Sequence, residues 1–204
     1  MRIKNILTAF LVISLVLSFY LASAKDVVFS QNFYKKEFSK DITDVDGAYE
    51  ISKNITGFFN EKNGLPSLFN QKESSHMQDV KLLVNKGKCL LTFLMLSNIV
   101  LFSLLLFYSE KKSKDLSKLL IFSGALGLLL PLFFSIFRFG SLFEKFHLIF
   151  FPQGNWMFPA DSLLIQIFTE QFFFDAFLAI IIKPAAICFF LIILGLLSSK
   201  VSSN

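Results

Sequence analysis

At 204 residues, with 54% hydrophobic side chains, 28 phenylalanines and a mean hydropathy of +0.61, the chain is too apolar for an ordinary soluble domain. The formal net charge of +5 sits largely in short segments beside apolar runs, which is membrane anchoring rather than a nucleic-acid footprint. The two cysteines, Cys89 and Cys188, lie in or at the end of apolar runs. They read as small apolar residues rather than as a disulfide or metal framework.

A bilayer core about 30 Å thick takes roughly 20 apolar residues of helix, and four stretches qualify: residues 5–24, 89–108, 119–137 and 177–197. The first has two readings. Arg2 and Lys4, an apolar run and Ala22-Ser23-Ala24 ahead of Lys25 have the layout of a cleavable signal peptide, while the length of the run also suits a retained anchor. No cysteine follows, so it is not a lipoprotein signal.

The segment 25–88 follows, with ten lysines against nine acidic residues, nearly neutral and uninformative about partners. Its turn signals are Asp46-Gly47 and Asn63-Gly64-Leu65-Pro66. Between them, 48–61 predicts a helix with Tyr49, Ile55, Phe58 and Phe59 broadly on one side. A second helix is expected from Glu73, capped by Ser74 or Ser75 and running towards Cys89. On it His76 and Asp79 are i and i+3 neighbours, so the carboxylate is placed to hold the imidazole tautomer and raise its basicity. The plainer reading makes Glu73, His76 and Asp79 the solvated face of a membrane-proximal helix.

After the second span, Lys111, Lys112, Lys114 and Lys118 load the 109–118 loop with positive charge, which places it in the cytoplasm. Arg2, Lys4 and Lys200 agree. Both termini, including the tail 198–204, are then cytoplasmic, and segments 25–88 and 138–176 are extracytoplasmic.

The segment 138–176 is almost as apolar as a span. Phe139, Phe143, Phe146, Phe150, Phe151, Trp156 and Phe158 alternate with Arg138, Glu144, Lys145, His147, Asp161 and Glu170. Spacings of three and four predict amphipathic helices lying in the interface, broken at Pro152-Gln-Gly154, with Trp156 at the level of an aromatic belt. His147 follows Phe143 by one turn and lies at the edge of the apolar face. In the last span Lys183 sits roughly 9 Å deep; it either snorkels outward or faces the bundle to stabilise developing negative charge.

His76 and His147 are the two histidines of the chain, both expected at the outer face. Imidazole moves protons near neutral pH, and two rings flanking spans at one surface predict a shared site. Two other classes compete. A metallohydrolase would use both histidines with a carboxylate from Glu73, Asp79 or Asp161, although no His-Glu-x-x-His helix is present. A non-enzymatic scaffold or transporter accessory needs the spans alone; both histidines then tolerate alanine, whereas a metal site fails with chelator.

His76-Met77-x-Asp79-Val80-Lys81 before the second span resembles the first signature of the lipoprotein intramolecular transacylase (Lit) family of four-span bacterial membrane proteins. Phe139-x-x-x-Phe143-x-x-Phe146-His147-x-x-Phe150, followed by Trp156, Asp161, Ile165 and Glu170-x-Phe172-Phe173, resembles its second. The likeness covers the order of spans and both external segments. Arg138 and Gly140 stand where the family often has acidic residues, and Thr169 replaces a common proline.

The resemblance implies an all-α integral membrane protein of the bacterial cell membrane with a retained first span. It implies an acyltransferase that moves the sn-2 acyl chain of a diacylglyceryl-modified lipoprotein to the α-amine of its N-terminal cysteine, giving the lyso-form, with no separate acyl donor, cofactor or metal. His76 and His147 would be catalytic, with Asp79, Glu73, Arg138, Asp161 and Lys183 supporting. Phe143, Phe146, Phe150 and Trp156 would hold substrate and membrane lipid. The chemistry agrees with the residues: the nucleophile belongs to the substrate, and no Gly-x-Ser-x-Gly elbow is present.

Overall fold

The computed structural model describes residues 2–201, with the side chains of Arg2 and Val201 excepted. Ser202–Asn204 of the expected tail, and the Arg2 side chain, lie outside the described residues. All regular elements among them are helices: α1 (Arg2–Phe29), α2 (Gln31–Asp41), α3 (Val45–Phe59), α4 (Gln71–Tyr108), α5 (Lys112–Phe134), α6 (Phe139–Phe150), α7 (Leu163–Ile167) and α8 (Glu170–Val201). The helices α1, α4, α5 and α8 are long and apolar enough to cross a membrane. The chain divides into two compact units, one built from 1–23, 89–136 and 180–204, the other from 24–88 and 137–179.

The first unit holds the apolar lengths of these four helices. Leu11, Val12, Leu105 and Leu119 form its buried cluster, while side chains such as Phe93, Ile99, Phe107 and Phe189 point outward, as lipid-facing positions do. Small residues set how closely α5 and α8 pack. A Cβ on Gly124 would lie 2.4 Å from the Cys188 carbonyl oxygen, and one on Gly127 2.2 Å from Cys188 Sγ. Polar links join helices of this unit: Asn98 donates to Ser18 at 2.9 Å, and the Tyr20 hydroxyl to the Gly127 carbonyl at 2.9 Å. Lys4 pairs with the buried Asp115 at 2.8 Å, whose carboxylate also accepts from Ser109 at 2.7 Å.

In the second unit α2 and α3 are joined by a three-residue connection. Ser30 caps α2 by accepting from Phe33 N–H, and Asp44 caps α3 by accepting from Gly47 N–H at 3.0 Å. Gly47 is therefore inside the first turn of α3 rather than in a turn of its own. A Cβ there would stand 2.2 Å from the Asp44 carboxylate, so a larger residue would make that side chain shift. The buried face of α3 carries Ala48, Ser52, Ile55, Thr56 and Phe59, with Tyr49 and Phe58 half-buried beside it. Two apolar clusters fill the unit. Tyr34, Phe38 and Ala48 pack with Ile167 and Phe172, and Ile55, Phe59 and Phe69 pack with Met77 and Leu164.

The start of α4 differs from the expected serine cap. Asn70 Oδ1 accepts from Glu73 N–H at 2.9 Å, and Glu73 Oε2 accepts from Asn70 N–H at 2.9 Å. This is a reciprocal capping box, and it moves the helix start ahead of Ser74.

Candidate active site

His76 stands on the second turn of α4 and His147 near the end of α6, both within the second unit. Each is 8% exposed, and their rings approach to 6.1 Å between centroids at an interplanar angle of 26°. The 71 positions between them are spanned by packing of α6 and the loop after it against α4. The solvated-face reading is thereby overturned. Glu73 and His76 are buried, and only Asp79 of the three retains partial exposure.

Aromatic side chains wall the pair. Phe151 and Phe158 present edges to His76 at 4.8 and 5.5 Å. Phe143 and Trp156 lie 4.2 and 4.7 Å from the His147 ring, with Phe146 and Phe151 at 5.5 Å. Phe143 and Trp156 are half-buried, whereas Phe146 and Phe150 are 44% and 48% exposed and continue into the open apolar surface of Leu148 and Ile149. Helical periodicity produces this split: Phe143 is one turn from His147 on the inward face, while positions 146, 149 and 150 turn outward.

The His147 Nδ1 lies 2.7 Å from the Phe143 carbonyl oxygen. A carbonyl only accepts, so Nδ1 carries the proton and the neutral ring keeps its lone pair on Nε2. Burial lowers the pKa of His147, opposed by that carbonyl bond. His76 is held down to about 4, first by burial and then by the neighbouring His147; Asn155 and Asp79 act in the opposite direction. Both imidazoles are therefore neutral at neutral pH and available to accept a proton. Once protonated, either is a stronger acid than free imidazolium.

Asp79 does not hold His76 directly, which corrects the expectation from spacing. Its Oδ2 accepts from Gln153 Nε2 at 2.6 Å and from Asn155 Nδ2 at 2.7 Å. The loop after α6 brings two amide donors to the carboxylate, and a short Asp side chain satisfied by them has no need of the ring on its own helix. Asn155 also donates to Ser75 at 3.3 Å, and Lys72 donates to the Met157 carbonyl. Positions 72, 75 and 79 share one face of α4, so the 153–157 strip is laid along it.

Glu73 is 2% exposed, and besides its own cap it accepts from Leu164 N–H at 3.1 Å. Its carboxylate therefore joins the first turns of α4 and α7 rather than facing the imidazoles. Arg138 is the exposed N-cap of α6, with no side-chain capping bond, and Asp161 is exposed ahead of α7. Neither joins the histidine pair. Lys183 is exposed on α8 in the first unit, next to the buried Pro184. Among the described residues no three His, Cys, Asp or Glu side chains gather as a metal-binding group. Asn155, Gln153 and Phe151 belong to the site and were not expected from the sequence. The available signal was the Pro152-Gln-Gly-Asn155 turn, which sets two amide side chains in the loop that follows His147.

A family model described as lipoprotein intramolecular transacylase Lit matches residues 6–173, a stretch that includes both histidines. No match is found among curated proteins. Among solved structures, the membrane integral lipoprotein intramolecular transacylase Lit from Bacillus cereus is similar with a TM-score of 0.84 at 19% identity, covering 99% of this chain and 98% of that chain. A histidine-to-alanine variant of that protein matches at 0.78 and 19% identity, covering 99% of this chain and 96% of its own. A histidine-to-arginine variant matches at 0.76 and 18%, covering 99% and 94%. The structural likeness is one of fold, an all-α membrane-integral architecture. The sequence match over most of the length carries the assignment: this chain belongs to the lipoprotein intramolecular transacylase Lit family.

Proposed function

We propose that this protein moves the sn-2 acyl chain of a diacylglyceryl-modified lipoprotein to the α-amine of the same molecule's N-terminal cysteine. The product is an N-acylated lyso-form lipoprotein. The observation that carries the reading is the pair of buried, neutral imidazoles 6.1 Å apart within an aromatic wall.

The amine nitrogen attacks the sn-2 ester carbonyl, the new C–N bond forms, and the carbonyl–oxygen bond to glycerol breaks. One proton leaves the nitrogen and one arrives on the departing glyceryl oxygen, so a base and an acid are needed and no external acyl donor is consumed. An imidazole with a depressed pKa takes the first proton and, as a destabilised imidazolium, releases one readily to the alkoxide. Proton transfer of this kind contributes roughly 10²–10⁴ in rate. Nucleophile and ester already share one molecule, and well-oriented intramolecular reactions reach effective molarities of about 10⁵ M or more. Phe143 and Trp156 beside His147, with Phe146 and Phe150 leading outward, offer acyl chains an apolar approach. The site belongs at the outer face of the bacterial cell membrane, where diacylglyceryl lipoproteins reside.

Mass spectrometry of a lipoprotein N-terminus from cells with and without the protein tests the reading. The expected result is one acyl chain on nitrogen and one on glycerol only when the protein is present. Identical acyl positions in both samples would overturn it.

A further inference from the structure

We propose that Asn155 is a positioning residue that holds His76 in its Nδ1-protonated tautomer and ties the ring to Asp79, leaving the lone pair on Nε2 for proton transfer. The geometry fixes which way the amide must face. Asn155 Nδ2 donates to Asp79 at 2.7 Å and to Ser75 at 3.3 Å, and these residues flank His76 on α4. An ionised carboxylate only accepts, so the amide cannot flip without setting oxygen against oxygen. The Asn155 Oδ1 that remains is buried without a hydrogen bond, and so is His76 Nδ1. The Asn155 side chain lies close enough to the imidazole to favour its protonated form.

Two buried polar atoms on neighbouring side chains, one an obligate acceptor and the other a ring nitrogen that can donate, complete one another. A hydrogen bond between them satisfies both, and leaving both orphaned is costly. Asp79 thus acts on His76 through an amide, and Gln153, donating to the same carboxylate at 2.6 Å, holds it in register. The arrangement matches that of His147, whose Nδ1 is already committed to the Phe143 carbonyl. Both rings then present Nε2 as the basic atom.

The titratable groups around the His76 ring are Asp79 on its own helix and His147 on α6, while the 152–158 strip contributes none. Shifts caused by Asn155 variants can therefore be read against one carboxylate and one neighbouring imidazole. The kinetic consequence rests on the transacylase reading, but the tautomer does not.

The first readout is ¹⁵N NMR of the full-length protein labelled at histidine, in detergent micelles, with the two rings assigned through His147→Gln. His76 is expected as the Nδ1–H tautomer above its pKa, and Asn155→Ala is expected to lose that preference. Asn155→Asp, made together with Asp79→Asn so that an amide again faces a carboxylate, keeps the acceptor and is expected to retain that preference and to raise the His76 pKa. An Nε2–H tautomer for His76 in the unsubstituted protein, or an unchanged tautomer and pKa in both variants, would overturn the proposal. The second readout is acyl transfer on a synthetic diacylglyceryl lipopeptide. Asn155→Ala is expected to lower kcat roughly 10- to 100-fold with KM little changed, and to move the acid limb of the pH profile downward. Asn155→Asp with Asp79→Asn should move that limb upward. A preparation with the expected tautomer but no acyl transfer would reject the transacylase reading and leave the positioning intact. If Asn155→Ala fails to fold, Asn155→Asp together with Asp79→Asn provides the same comparison.

Discussion

The histidine pair is where residue-scale chemistry has the most to determine. Gln retains a polar group of similar reach but exchanges no proton at neutral pH, so His76→Gln and His147→Gln should each cut lyso-form product by roughly 10² or more while inserting normally. Asp79→Asn should leave a reduced but measurable rate, because an amide oxygen still accepts from Gln153 or Asn155. Near-normal product from either Gln variant, assayed by mass spectrometry, would remove that ring from the chemistry. The pKa shift of His76 has its own consequence for stability. An imidazole that titrates near 6.5 in the unfolded chain and at about 4 when folded stabilises the native state least when it must be charged. Stability is therefore fully present above pH 6.5 and falls as pH drops towards 4, by on the order of 3 kcal/mol at about 1.4 kcal/mol per unit. Thermal unfolding in detergent from pH 7 to 4 checks this, and His76→Gln should flatten the slope.

At the scale of single elements, Glu73 shows how one side chain sets two helix starts. Its carboxylate accepts from Asn70 N–H and Leu164 N–H while 2% exposed, and hydrogen bonds to a charged acceptor contribute about 1.5–3 kcal/mol each. Glu73→Ala strands a buried donor at the start of α7 and should lower the melting temperature markedly. Glu73→Gln, which keeps one accepting oxygen, should lose less. Equal melting temperatures for the Ala variant and the unsubstituted protein would show that the two helix starts stand without it. The Asn70-x-x-Glu73 spacing is legible in the sequence as a capping box, but Ser74 and Ser75 are equally good cap residues in isolation. Which residue caps depends on where the chain turns after Phe69, and that is settled by the packing of Phe69 and Met77 with Leu164.

For the whole molecule, orientation across the bilayer follows from charge. The ion pair between Lys4 and Asp115 places the start of α1 and the 109–118 loop at one end of the first unit, and we propose that the lysines of that loop and Lys4 anchor this end in the cytoplasm. A single cysteine at Lys62 should label in intact cells, and one at Ser113 only after permeabilisation, in a Cys89→Ser background with the fully buried Cys188 left in place. Both positions are exposed in the structure; the reverse labelling pattern would invert the proposed topology and place the histidines in the cytoplasm.

Composition and periodicity by themselves determined that this is a helical membrane protein with four spans. Hydrophobic length and spacing are local properties of the chain and need no partner to be read. The histidines, too, stood out from the sequence, because imidazoles in such segments have few structural uses. Only the tertiary structure decided that Asp79 answers to Asn155 across 76 positions, that Glu73 serves α7 across 91, and that Phe146 and Phe150 face outward while Phe143 and Trp156 enclose His147. Each of those outcomes is a competition among several chemically adequate partners, and the winner is set by which surfaces pack together, a non-local free energy that no local pattern encodes.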